Sequence, residues 1–124
     1  RPSEFTMPER FYHGFVLGLL VELADRYDIT SNRESGLGRY DVMLRPLRQG
    51  DNGIILEFKV HEPKEESSME ETVLAALNQI EEKRYEQTLI NQGIEKNHIR
   101  KYGLAFRGKE VLIGSLSESQ PIYN

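Results

Sequence analysis

The run Ile54-Ile55-Leu56-Glu57-Phe58-Lys59-Val60 constrains this chain more than any other segment. Its β-branched and aromatic residues read as a strand. The turn signal Asp51-Asn52-Gly53 precedes it and the polar stretch His61 to Ser68 follows it. Alternate side chains leave opposite faces of a strand, so Glu57 and Lys59 share one face while Leu56, Phe58 and Val60 share the other. Three consecutive apolar residues at its start place apolar groups on both faces, the mark of a strand covered from both sides. A glutamate and a lysine on such an interior strand are partly buried and need partners. The plainer alternative is a half-buried strand whose charged face meets solvent.

The rest of the chain supplies the cover. Pro8-Glu9 suits the first turn of a helix, and Phe11, Phe15, Val16, Leu19, Leu20, Leu23, Ala24 and Tyr27 keep helical spacing behind it. Ile29 to Glu34 and Arg39 to Leu44 read as strands joined by a hairpin turn at Ser35-Gly36-Leu37-Gly38, and Pro46 stops the second. Met69 to about Gln92 reads as one long helix with Val73, Ala76, Leu77 and Ile80 as its apolar stripe, and Gly93 as its stop. Tyr102 to Phe106 and Glu110 to Leu116 are two further strands joined at Arg107-Gly108-Lys109, with an irregular tail from Ser117. Hairpins together with a long crossover imply an α/β domain: a mixed β-sheet flanked by helices.

A chain of 124 residues fits one domain, residues 1–124, and its start at Arg1 without a methionine reads as a piece of a longer protein. With no cysteine there is no disulfide framework, zinc ribbon or thiol chemistry, and a reducing cytoplasm is the default expectation. The most apolar run, Phe11 to Ala24, is interrupted by His13 and Glu22 and falls short of the roughly 20 residues of a membrane span. It also lacks the basic start and small-residue cleavage site of a signal peptide. The net charge of −4 argues against coating nucleic acid by bulk charge. Basic residues do gather from Lys83 onward, as Lys83, Arg84, Lys96, Arg100, Lys101, Arg107 and Lys109, so a local basic face is open to the chain.

Asp41 is the candidate partner of the interior strand. It lies on Arg39 to Leu44, the expected neighbour of Ile54 to Val60. Two carboxylates on neighbouring strands repel unless a cation bridges them, and Mg²⁺ suits such a pair because it takes oxygen ligands and uses one or two carboxylates while keeping waters. A nearby lysine can orient or deprotonate a water that attacks a phosphodiester. Spacing alone leaves this reading and the plainer one open. His13 shares a helix face with Glu9 and is either a third metal-shell candidate or a histidine packed on the sheet. Gln79 lies beside the apolar stripe, where the plain reading is a solvent-edge glutamine, and Lys83 shares its face, which suits a phosphate contact. Arg33 and Arg39 flank Asp41 as phosphate contacts, charge neutralisers or members of weak cross-strand ion pairs. His61 and His98 suggest no zinc site, and Met7, Met43 and Met69 read as packing residues.

Several phrases together are more specific: Phe11-Tyr12-His13-Gly14-Phe15, the long Ser31 to Asp41 segment, Ile55-Leu56-Glu57-Phe58-Lys59, Ala76-Leu77-Asn78-Gln79-Ile80 and Tyr102-Gly103-Leu104-Ala105-Phe106. Over about residues 8 to 114 the chain resembles the PD-(D/E)XK nuclease superfamily, in the form found C-terminal to AAA-type ATPase-like domains of bacterial proteins. The resemblance implies a restriction-endonuclease-like core, αβββαβ. It implies that Asp41 and Glu57 bind Mg²⁺ or Mn²⁺ with the Phe58 carbonyl, and that Lys59 works on the attacking water. One branch of the superfamily places a helical histidine near the metal, which fits His13. The same branch uses a helical glutamine with a tyrosine four residues later; here Gln79 carries over, while position 83 is Lys and the tyrosine is Tyr85. Tyr40 stands where the motif's proline would be, a departure common in the superfamily. The implied activity is a metal-dependent nuclease acting on nucleic acid, DNA first and RNA as the other candidate, beside an ATPase-like domain of the same chain. The alternatives are a catalytically silent nuclease-fold module docked on that ATPase-like domain, or a structural domain with Glu57 and Lys59 facing solvent.

Overall fold

The computed structural model describes residues 7–33 and 39–116. The hairpin turn expected at Ser35–Gly38 and the tail from Ser117 lie outside the described residues. In chain order the elements are α1 (Met7–Leu23), β1 (Tyr27–Arg33), β2 (Arg39–Pro46), β3 (Gly53–Val60), α2 (Met69–Lys83), α3 (Tyr85–Asn91), a 3₁₀ turn (Lys96–His98), β4 (Ile99–Arg107) and β5 (Glu110–Gly114). The strands form one sheet in the order β1-β2-β3-β4-β5, antiparallel except for the parallel pair β3–β4, whose crossover carries α2 and α3.

The double coverage of β3 explains its composition. On one face Leu56 and Phe58 join Tyr12, Val16, Val42, Leu44, Leu104 and Phe106 under α1. On the other, Ile55 joins Met69, Val73, Leu77, Ile80, Leu89, Ile99 and Ala105 under α2 and α3. Aromatic rings tie α1 to the sheet, with Tyr12 edge-on to Phe106 at 4.8 Å between centroids. Ser68 caps α2 by accepting the Glu71 amide, and Glu71 returns a carboxylate to the Ser67 amide. No helix among the described residues is long and apolar enough to cross a membrane.

Both helices depart from the sequence-based expectation, and β4 starts earlier, at Ile99 rather than Tyr102. The first helix ends at Leu23, not Tyr27, because Tyr27 pairs with Pro46 at the start of β1 and the Leu47 amide bonds back to the Arg26 carbonyl. The long helix expected from Met69 to Gln92 is two helices. Arg84 is left-handed, φ 58° and ψ 37°, and separates α2 from α3. The apolar stripe explains the break: after Ile80 a continuous helix would need apolar residues near 84 and 87, where the chain has Arg84 and Gln87. Re-aiming the chain at Arg84 brings Leu89 fully into the core. Beyond it Gly93, at φ 101°, ends the helical segment in a conformation that favours glycine.

Candidate active site

Register alone assembles four charges on the α2 face of the sheet. Asp41 stands directly opposite Glu57, and Arg39 directly opposite Lys59. Directly opposite residues of an antiparallel pair share a face with Cβ atoms about 4.5–5.5 Å apart. Like therefore faces like in both pairs, an arrangement that is unfavourable without partners from elsewhere. The carboxylate pair lies out of water: Asp41 is 1 % exposed and Glu57 0 %. A solvent-facing Glu57–Lys59 face, the premise of the structural-domain alternative, is thereby overturned, since Lys59 is buried as well. On the β3 side Arg39 faces a lysine, so among the described residues that ladder gives it no cross-strand ion pair.

The partners come from the crossover and from β1. Lys83, the last residue of α2, places Nζ 2.8 Å from Asp41 Oδ2. Tyr85, just past the break, and Asn32, opposite Asp41 on β1, also hydrogen-bond to this carboxylate. Burial alone would push the Asp41 carboxyl up; the bonds from Lys83, Tyr85 and Asn32 outweigh it and hold it below the ordinary carboxylate range. Burial and the bond to Asp41 push the Tyr85 hydroxyl up to about 12, so it serves Asp41 as a donor. Arg39 donates to the side-chain oxygen of Gln79.

Lys59 turns to a different partner. Its Nζ lies 2.6 Å from Glu66 Oε2, and the other oxygen of Glu66 accepts the Glu62 amide and the Thr72 hydroxyl. His61 Nδ1 closes this cluster 2.7 Å from Thr72 Oγ1. Burial raises the Glu66 carboxyl, but the Lys59 ammonium, the Glu62 amide and the Thr72 hydroxyl together bring it below its ordinary value. Sequence reading missed Glu66, because nothing in a polar loop marks which glutamate folds inward. Tyr85 was visible, but on an unbroken helix its spacing from Gln79 points it elsewhere.

His13 is not brought to the carboxylates. It rides on α1, on the opposite face of the sheet, and its Nδ1 lies 2.6 Å from the Tyr40 hydroxyl. Tyr40 alternates with Asp41 along β2 and so faces α1. Burial and the Arg33 charge lower the His13 pKa, which suits a neutral ring bonded to a phenol. The Phe58 carbonyl accepts the Tyr12 hydroxyl at 3.2 Å, and the Arg33 guanidinium sits over the Tyr40 ring at 5.7 Å. Of the basic residues gathered late in the chain, Lys101 pairs with Glu81 and Glu86, and Arg107 with Glu110.

Two carboxylates in register fit the oxygen-donor preference of Mg²⁺ or Mn²⁺. No group of three or more Asp, Glu or His among the described residues could hold an ion. An ion here would therefore rest on Asp41 and Glu57, completed by waters or a backbone carbonyl.

A mixed sheet with a helical crossover between parallel β3 and β4, helices on both faces and a carboxylate pair on its central ladder defines a restriction-endonuclease-like α/β domain. The sequence model of the PD-(D/E)XK nuclease superfamily matches residues 7–116, and the chain belongs to that superfamily. No curated protein and no solved structure matches it.

Proposed function

We propose that this domain is a metal-dependent phosphodiesterase acting on nucleic acid, DNA or RNA. The observation that carries the reading is the pairing of Asp41 with Glu57, two buried carboxylates directly opposite each other in a chain of this superfamily. Asp41 and Glu57 would hold Mg²⁺ or Mn²⁺, with the Phe58 carbonyl within the same strand segment. When bound, the ion supplies Lewis-acid stabilisation of charge developing on a phosphodiester. The chain's own residues do the rest. Gln79 holds Arg39 at the edge of the carboxylates, where its guanidinium can meet a phosphate oxygen. A lysine on the same face orients the attacking water; the superfamily motif gives that role to Lys59. His13 stays with Tyr40 and steadies α1 against β2. An ATPase-like domain in the same longer chain, in the cytoplasm of a bacterium, is the setting that the family resemblance suggests.

The test is cleavage of single- and double-stranded DNA and RNA with Mg²⁺ or Mn²⁺, comparing wild type with Asp41→Asn and Glu57→Gln. Each variant is expected to lose at least about 100-fold, the scale of removing one electrostatic contact to a developing charge. Cleavage that persists in both would sink the reading.

One observation favours a second reading, a nuclease-fold module without turnover. Both carboxylates are closed off from solvent and Asp41 is bonded to Lys83. On this reading wild type neither cleaves nor binds Mn²⁺, and a Mn²⁺ titration beside the cleavage assay decides between the two.

A further inference from the structure

The superfamily motif assigns the working amine of the site to Lys59, yet the amine on the carboxylate pair belongs to another residue. Lys83 Nζ is 2.8 Å from Asp41 Oδ2, whereas Lys59 Nζ is 2.6 Å from Glu66 Oε2. The two lysines differ in their freedom. The Lys59 and Glu66 side chains are 9 % and 7 % exposed, and the remaining Glu66 oxygen is taken by Thr72 and the Glu62 amide. Withdrawing Lys59 would strand a buried charge. The Lys83 side chain is 21 % exposed at the end of a helix, followed by the left-handed Arg84. Its ammonium also lies 6.0 Å from the centroid of the Tyr85 ring, whose face attracts a cation.

We propose that Lys83 competes with the divalent ion for Asp41 and, once displaced, provides the phosphate-facing positive charge that the motif assigns to Lys59. Both are cations that satisfy the same carboxylate, so one weakens the hold of the other. A displaced ammonium remains beside the pair, over Tyr85, where an incoming phosphodiester carries its negative charge. Lys59 then serves the fold: with Glu66, Thr72 and His61 it ties the end of β3 to the start of α2. This inference rests on the two-carboxylate reading of the site.

The experiment measures Mn²⁺ binding by electron paramagnetic resonance and by calorimetry, alongside cleavage, for wild type, Lys83→Met, Lys83→Arg and the double variant Lys59→Met/Glu66→Leu. The double variant removes the buried pair together, so that no charge is stranded. Lys83→Met is expected to bind Mn²⁺ about tenfold more tightly, since the internal competitor is gone. It should also lose about 100-fold in cleavage, with Lys83→Arg recovering at least a tenth of the wild-type rate because the positive charge is kept. The double variant should cleave faster than Lys83→Met. If wild type binds Mn²⁺ and Lys83→Met binds it no more tightly, the inference is overturned while the two-carboxylate reading stands. A double variant that folds but cleaves more slowly than Lys83→Met returns the role to Lys59. Absence of Mn²⁺ binding in both wild type and Lys83→Met removes the two-carboxylate reading, and this inference with it.

Discussion

Glu57 carries a cost that a purely structural residue would not. It is fully buried and faces a second buried carboxylate across the β2–β3 ladder. Replacing it with the neutral isostere removes that repulsion, so Glu57→Gln is expected to raise stability by about 1 kcal/mol while abolishing cleavage, the trade of stability for activity seen at functional sites. Denaturant unfolding beside the nuclease assay checks both halves. Glu66 is the opposite case, a buried carboxylate whose partners more than offset its burial. Its folded pKa lies below its unfolded value of 4.5. The stability it contributes is therefore complete above pH 4.5 and disappears as the pH falls below that value and through the depressed one. Glu66→Ala, which leaves the Lys59 ammonium buried alone, should cost about 3–5 kcal/mol at neutral pH. The same variant should show a much shallower loss of stability between pH 5 and 3 than wild type. A wild-type-like acid transition in Glu66→Ala would show that another carboxylate governs it.

At the scale of elements, two backbone features bring the crossover to the carboxylates. Gly103 on β4 lies beside Glu57, and a Cβ there would meet the Val73 carbonyl at 2.8 Å and the Ala76 Cβ at 3.1 Å. The close approach of α2 to the sheet therefore requires glycine, and this approach carries Gln79 and Lys83 to Arg39 and Asp41. Gly103→Ala should destabilise by about 1–3 kcal/mol and reduce cleavage as well, since it lifts the helix that carries both side chains. Thermal unfolding and single-turnover kinetics read the two effects separately. The second feature is the break at Arg84, at φ 58°. Glycine inside a continuous helix is destabilising, but at a left-handed residue it relieves strain, so Arg84→Gly should stabilise by roughly 0.5–1 kcal/mol. A loss of similar size in denaturant unfolding would mean that α2 and α3 run on as one helix in solution.

For the whole molecule, an ion held by the carboxylate pair as proposed would couple metal binding to folding. An ion bound by the native chain and not by the unfolded one stabilises by about 2.7 kcal/mol at 100 times its Kd. Mn²⁺ titrated against thermal unfolding should raise the melting temperature of wild type and leave Asp41→Asn unmoved. A shift of equal size in both would place the ion elsewhere.

Much of this architecture was legible in the sequence because it rests on local periodicity. Three consecutive apolar residues before Glu57 marked an interior strand covered on both faces, and the alternation of β3 placed Glu57 and Lys59 together on one of them. The adjacency of β2 and β3 followed from a short connection, and that was enough to bring Asp41 to Glu57. What only the tertiary structure decided is which partner each charge takes. Lys83, Tyr85 and Asn32 reach Asp41, and Glu66 takes Lys59, because a helix break, a glycine-sized gap and an inward-folded loop set distances that no spacing along the chain encodes. The same holds for His13: its helical position was readable, but which face of the sheet α1 would cover depends on long-range burial, and that placed it with Tyr40.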